Sequence, residues 1–187
     1  MTEGPPTDDP TPELRRAPSL VLLNTGDGKG KSTAAMGVML RSVARGWRVA
    51  VVQFLKSGDW ATGEQKAAER LGVDWWALGD GFTWDSDDLD KSAEVAREAW
   101  KKAEEIIASG EYSLVILDEV TYPLTWGWVD LDEVTRVIRA RPQHVNLVLT
   151  GRDAPDELVE VADTVTEMRN VKHAFQQGIR AKKGIDF

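Results

Sequence analysis

The stretch SLVLLN followed by TGDGKGKS, residues 19–32, decides the fold. An apolar, strand-like run enters a glycine-rich loop, which opens into the helix-like segment AAMGVMLRSVAR, residues 34–45. Gly26, Gly28 and Gly30 let the backbone turn so that several N–H groups point at one anion, and a helix beginning near Lys31 adds the positive end of its dipole. A loop of this kind holds the phosphates of a nucleoside triphosphate, with Lys31 along them and the Ser32 hydroxyl on Mg2+. Thr25, Asp27, Lys29 and Thr33 fall in the same turn and join the expected nucleotide-binding set. The common pattern GxxxxGK[ST] has glycine where this chain has Thr25, so the match is imperfect. A glycine-rich turn without a ligand is the alternative, and the strand-loop-helix context argues against it.

Outward from the loop the chain alternates. Strands are expected at Ser19–Asn24, Arg48–Leu55, Val73–Leu78, Ser113–Leu117, Asn146–Leu149 and Thr164–Met168. Helices are expected at Lys31–Arg45, Glu64–Leu71, Leu89–Ser109, Leu131–Ala140 and Pro155–Ala162. Strands separated by helices pair in parallel, with helices on both faces. The runs LVLL, VAVVQF, LVIL and NLVL are continuously apolar, as strands buried on both faces are. The expected fold is therefore α/β, a three-layer sandwich around a central, mostly parallel sheet of about six strands. In the first helix Met36, Met39, Leu40 and Val43 recur at helical spacing and predict one apolar face, and Gly46 stands where that helix can end. Residues 1–18 hold four prolines before Pro18, with little to bury, so a flexible arm is expected there. It precedes a single domain over residues 19–187, with a tail at 170–187.

Composition narrows the chemistry. The chain of 187 residues has no cysteine, which excludes disulfides, thiolate metal sites and a cysteine nucleophile. A net charge of -8 disfavours broad binding to a nucleic-acid backbone. No apolar stretch reaches bilayer length and the first residues lack the order of a secretory signal. A cytoplasmic protein with neither nucleic acid nor membrane as partner is expected.

SLVILDE, residues 113–119, places Asp118 and Glu119 at the carboxyl end of a buried strand, the edge where ligands bind in open parallel sheets. Beside a phosphate loop, Asp118 and Glu119 join Ser32 as expected ligands of Mg2+ or Mn2+, with a solvated loop end as the alternative. The two histidines, His144 and His173, offer no serine-histidine pairing. ATP hydrolysis, or a nucleophile arriving with the substrate, fits better than a strong protein nucleophile. Of the eight tryptophans, Trp75 and Trp76 point to opposite faces of a strand, so at least one of them is expected in packing, and Trp100 on the long helix is expected in the core. Phe82 and Trp84, in GDGFTWD at residues 79–85, follow a strand at the ligand edge. They either wall a large flat ligand or pack the loop.

Six stretches in order, TGDGKGKS (25–32), VVQFLK (51–56), GFTWD (81–85), LDEVTY (117–122), LTGR (149–152) and KHAFQQGIRAKKGIDF (172–187), make a pattern. It resembles the P-loop type of ATP:corrinoid (cob(I)alamin) adenosyltransferases. The likeness covers nearly the whole chain after the arm, and that family's loop is also the shortened form that Thr25 marks here. The resemblance implies a P-loop NTPase-like fold and a reaction in adenosylcobalamin biosynthesis or salvage. A Co(I) corrinoid attacks the 5′ carbon of ATP and displaces triphosphate, so cobalt is the nucleophile and no general base is needed. ATP lies reversed in the loop relative to hydrolases, and Phe82 and Trp84 pack beneath the corrin. There they exclude the lower axial ligand and ease reduction of Co(II) to Co(I). The catalytic residues so implied are Lys31, Phe82 and Trp84, and Arg41 and Arg152 stand as nucleotide-side arginines or as salt-bridged surface residues. A homodimer and a reductase supplying Co(I), such as a flavoprotein, are further implications. The tail with Lys172, Arg180, Lys182 and Lys183 closes over the site or stays solvated. Two other classes fit the loop: a P-loop ATPase or small-molecule kinase, and a corrinoid carrier regulated by nucleotide.

Overall fold

The computed structural model describes residues 14–55, 62–79 and 89–186. In chain order its elements are β1 (Val21–Thr25), α1 (Lys31–Ala44), β2 (Val49–Gln53), α2 (Gly63–Arg70), β3 (Asp74–Ala77), α3 (Leu89–Ser109), β4 (Leu114–Asp118), α4 (Thr121–Thr125), α5 (Leu131–Ala140), β5 (Asn146–Thr150), α6 (Asp156–Val161) and β6 (Thr164–Glu167), followed by a 3-10 turn at Ala174–Gln177. The strands form one six-stranded sheet in the order β3-β2-β4-β5-β1-β6. Every neighbouring pair is parallel.

Alternation along each strand splits the apolar side chains between two cores. Val115 and Leu117 of β4 join Ala50, Val52, Leu147 and Leu149 on one face, under α3, α5 and α6. Leu114 and Ile116 join Val49, Val51 and Val148 on the other, under α1 and α2. Continuous apolar strands were needed because both faces are covered. Trp75 and Trp76 go to opposite cores, and Trp100 is buried in the first.

The expected elements are present with boundary shifts, and the short helix α4 is an addition. The apolar face of α1 differs from expectation at one position: Met36 and Met39 are buried, but Leu40 is 52% exposed. Ala35 and Ser42 are buried instead, because the helix lies close to the sheet and small residues let it approach. Gly46, at φ 80, ends this helix as its position suggested. The Gly46 N–H donates to the Val43 carbonyl and the Trp47 N–H to the Ser42 carbonyl, the paired bonds of a Schellman cap. Residues 14–18 are exposed and carry no regular structure, while the rest of the expected arm lies outside the described residues. Among the described residues no helix is long and apolar enough to cross a membrane.

At the amino edge of the sheet, opposite the glycine-rich loop, Tyr112 donates to Asp74 Oδ2 at 2.8 Å, and the Arg48 guanidinium lies 4.8 Å from the tyrosine ring centre. Burial first, then the Asp74 bond, push the Tyr112 phenol from 10.0 up to about 12. Between those values the folded chain keeps a proton that the unfolded chain has lost. The stabilisation is therefore complete below 10.0 and is lost as pH rises through about 12. Tyr112→Phe is expected to flatten the fall of stability across this window, read as urea midpoints at about pH 9 and 11. An unchanged slope would remove Tyr112 as its source.

Candidate nucleotide site at the carboxyl edge of the sheet

β1 lies between β5 and β6, so the loop after Thr25 emerges beside the ends of both strands. Gly26 and Gly30 hold φ 90 and 117, values that a side chain would strain. Gly30 is the N-cap of α1, and no side chain caps that end. Lys31 folds back over the loop, its Nζ donating to the carbonyls of Gly26 at 2.6 Å and Gly28 at 2.8 Å. The chain leaving β6 presses on the same loop: the Gly28 N–H donates to the Met168 carbonyl. A Cβ on Gly28 would come within 2.6 Å of Met168 backbone atoms.

Asp27, Gly28, Lys29, Gly30, Lys31, Ser32, Thr33, Glu119 and Arg152 line one cleft of about 210 Å3 together with Glu64, Tyr122, His173 and Asp186. Two expected binding residues contribute from behind it: Gly26 through its carbonyl on Lys31, and Thr25 through a hydroxyl that accepts the Ala154 N–H at 3.3 Å. Arg41 is not brought there. It is exposed in the last turn of α1, where a cation complements the carboxyl end of the helix dipole. Phe82 and Trp84 lie outside the described residues.

The expected metal pair divides. Asp118 is fully buried at the end of β4, its Oδ1 accepting from Thr150 Oγ1 at 2.7 Å and its Oδ2 from Gln53 Nε2 at 2.8 Å. Each oxygen is held by a neighbouring strand end, and Asp118 is not among the residues that line the cleft. Glu119 faces it, with φ 63 turning the chain away from the strand direction and its N–H donating to Thr150 Oγ1 at 2.9 Å. Among the described residues no group of three or more acidic or histidine side chains forms a metal cage. Mg2+ does not need one, because it is commonly held by one carboxylate, a hydroxyl, substrate phosphates and water. Ser32 and Glu119 fit that donor set.

Burial, then the nearby Arg152, hold the Lys31 ammonium below its usual value of 10.5, with Asp27, Glu119 and Asp153 opposing them. Burial and the Glu119 charge raise Tyr122 above the usual phenol value. Tyr122 starts an aromatic run, 5.5 Å from Trp126, which is 4.7 Å from Trp128.

Gln53, Thr150, Tyr122, Glu64 and Asp186 were not singled out in the sequence. Gln53 and Thr150 carried a signal: each is the one polar residue closing an apolar parallel strand, at the same edge as Asp118. Glu64 and Asp186 carried none, since they reach the cleft from α2 and the tail. Thr150→Val keeps the shape but orphans Asp118 Oδ1 and the Glu119 N–H, at a cost of about 1–3 kcal/mol. A lower urea midpoint with raised Mg2+ demand is expected. Full wild-type values in both would reject the role of Thr150.

The sheet, the loop and the acids at its carboxyl edge define an α/β protein of the P-loop NTPase-like class. The crystal structure of the flagellar accessory protein FlaH from Methanocaldococcus jannaschii shares this fold, with a TM-score of 0.50, 12% identity and coverage of 81% of this chain and 71% of that one. Within the class, the family model described as ATP:corrinoid adenosyltransferase BtuR/CobO/CobP matches residues 18–187, and the chain belongs to that enzyme family. It is 44% identical over 172 residues to a corrinoid adenosyltransferase of Sinorhizobium sp, covering 90% of this chain and 80% of the relative. It is 40% identical to one of Escherichia coli K12, covering 90% and 85%, and 41% identical to one of Pseudomonas aeruginosa, covering 96% and 89%.

Proposed function

We propose that this chain transfers the 5′-deoxyadenosyl group of ATP to the Co(I) centre of a corrinoid and releases triphosphate. The observation that carries the reading is the match of residues 18–187 to the adenosyltransferase family on a chain whose cleft is lined by the phosphate loop. In the step, the cobalt electron pair forms a bond to C5′ while the C5′–O bond breaks and its electrons leave with triphosphate. Cobalt belongs to the substrate, so the protein needs no nucleophile. Its work is to align the two substrates and to stabilise charge on the leaving group.

Lys31 gives its ammonium to the phosphates after leaving the Gly26 and Gly28 carbonyls, and the loop amides and the N-terminus of α1 complete the cradle. Arg152 adds a second cation from the β5 side. Ser32 and Glu119 would hold Mg2+ or Mn2+, which supplies charge neutralisation on the triphosphate. Phe82 and Trp84 are carried as the residues beneath the corrin, from the resemblance. A homodimer, a cytoplasmic setting and a Co(I)-supplying reductase such as a flavoprotein belong to the same proposal.

The test is anaerobic incubation with ATP, Mg2+ and chemically reduced cobalamin. The corrinoid spectrum of a Co–C bond and one triphosphate per adenosylated product are expected. ADP without adenosylated corrinoid points to an ATPase or kinase and rejects the reading, as does binding of both substrates without a product.

A further inference from the structure

From Arg169 to Asp186 the chain runs over the surface, and of these residues only His173 and Asp186 are half-buried. Both line the cleft. Asp186 Oδ1 pairs with the Lys29 ammonium at 2.8 Å. Its Oδ2 accepts the Lys182 N–H at 2.7 Å, while its own N–H donates to the Lys182 carbonyl at 2.8 Å. A closed turn thus aims the carboxylate at the phosphate loop.

The consequence is electrostatic. Among the described residues, Lys29, Lys31 and Arg152 share the cleft with Asp27, Glu64, Glu119 and Asp186, three cations against four carboxylates. That balance disfavours a polyanion. Taking Asp186 out of the cleft equalises the charges and releases Lys29, an ammonium of the loop itself. The pair is half-exposed, with side chains 47% and 24% accessible, so exchanging one anion for another costs little.

We propose that Asp186 is a resident counter-ion of the phosphate site, which the triphosphate group displaces from Lys29 as the turn 182–186 moves off the cleft. Asp186 is then a positioning residue that acts through Lys29 and sets the affinity for the triphosphate moiety. It holds Lys29 while the site is empty and competes with the leaving triphosphate when the product is ready to go. The inference rests on the phosphate-loop part of the proposed function and extends it to the tail.

The test uses the full chain and inorganic tripolyphosphate, so it does not depend on adenosyl transfer. Asp186→Asn keeps an acceptor for the Lys182 N–H and removes the charge. It is expected to bind tripolyphosphate about 2- to 5-fold more tightly, the range for an exposed ion pair. The gain should vanish in a Lys29→Met background, and amide exchange at residues 182–186 of the wild type should quicken on saturation. Equal or weaker binding by Asp186→Asn, a gain that survives Lys29→Met, or slowed exchange in the turn each overturns the proposal. Failure of every protein to bind tripolyphosphate would overturn the phosphate-loop reading as well, whereas turnover without the Asp186 effect would overturn the counter-ion alone.

Discussion

Lys31→Ala is expected to lower kcat/KM for ATP by about 100- to 1,000-fold with the sheet intact, since removing one preorganised donor to a developing anion costs about 2.7–4 kcal/mol. Two features place Lys31 at the top of the ranking. Its ammonium is already held within the loop, on the Gly26 and Gly28 carbonyls, so little reorganisation precedes its transfer to phosphate. It is also partly desolvated, which strengthens its interaction with a polyanion. Steady-state release of triphosphate gives the rate, and far-UV circular dichroism checks the fold. Lys31→Arg should not restore activity, because a planar fork cannot occupy the place of a compact ammonium. The lowered Lys31 value also sets a sign: the alkaline fall of kcat/KM should begin below 10.5. Activity of Lys31→Ala within threefold of wild type would remove the residue from the mechanism.

Gly28→Ala is expected to damage both stability and nucleotide use. Its Cβ would meet the Met168 carbonyl carbon and oxygen at 2.6 Å and the Arg169 carbonyl carbon at 2.8 Å. These are backbone atoms, so no side-chain rotation relieves the clash. The Gly28 N–H bond to the Met168 carbonyl would open with the shift. A loss of about 1–3 kcal/mol follows for an overpacked site, and the displaced loop would no longer present its amides to one point. Urea unfolding measures the first effect and calorimetric binding of ATP the second. Gly46→Ala is the control for strain without crowding, since a Cβ there meets nothing within 4 Å although φ is 80.

The sheet was legible because burial on both faces leaves a mark that one sequence carries: LVILD and NLVLT are apolar without alternation. The loop was legible because glycine spacing and a following lysine are local. Leu40 was misplaced because helical periodicity gives a face and not its width, and α1 approaches the sheet through Ala35 and Ser42. Asp118 and Glu119 stood side by side in the sequence as expected metal ligands. Their difference is a backbone event, because φ 63 at Glu119 turns one carboxylate to the cleft and leaves the other under Thr150 and Gln53. Arg41 matched a family position, yet helix geometry carries it about 15 Å along the axis from Lys31.

By itself the sequence determined that a glycine-rich loop joins a buried strand to a helix in a parallel α/β chain, since each of those features depends on residues adjacent in the chain. Only the tertiary structure decided which carboxylate faces the cleft, why Gly28 cannot carry a side chain, and that Asp186 lies on Lys29. The first depends on neighbouring strand ends, where Thr150 and Gln53 hold Asp118; the other two depend on atoms more than a hundred residues apart, Gly28 with Met168 and Lys29 with Asp186, brought together when β6 docks beside β1 and leads the tail back across the loop.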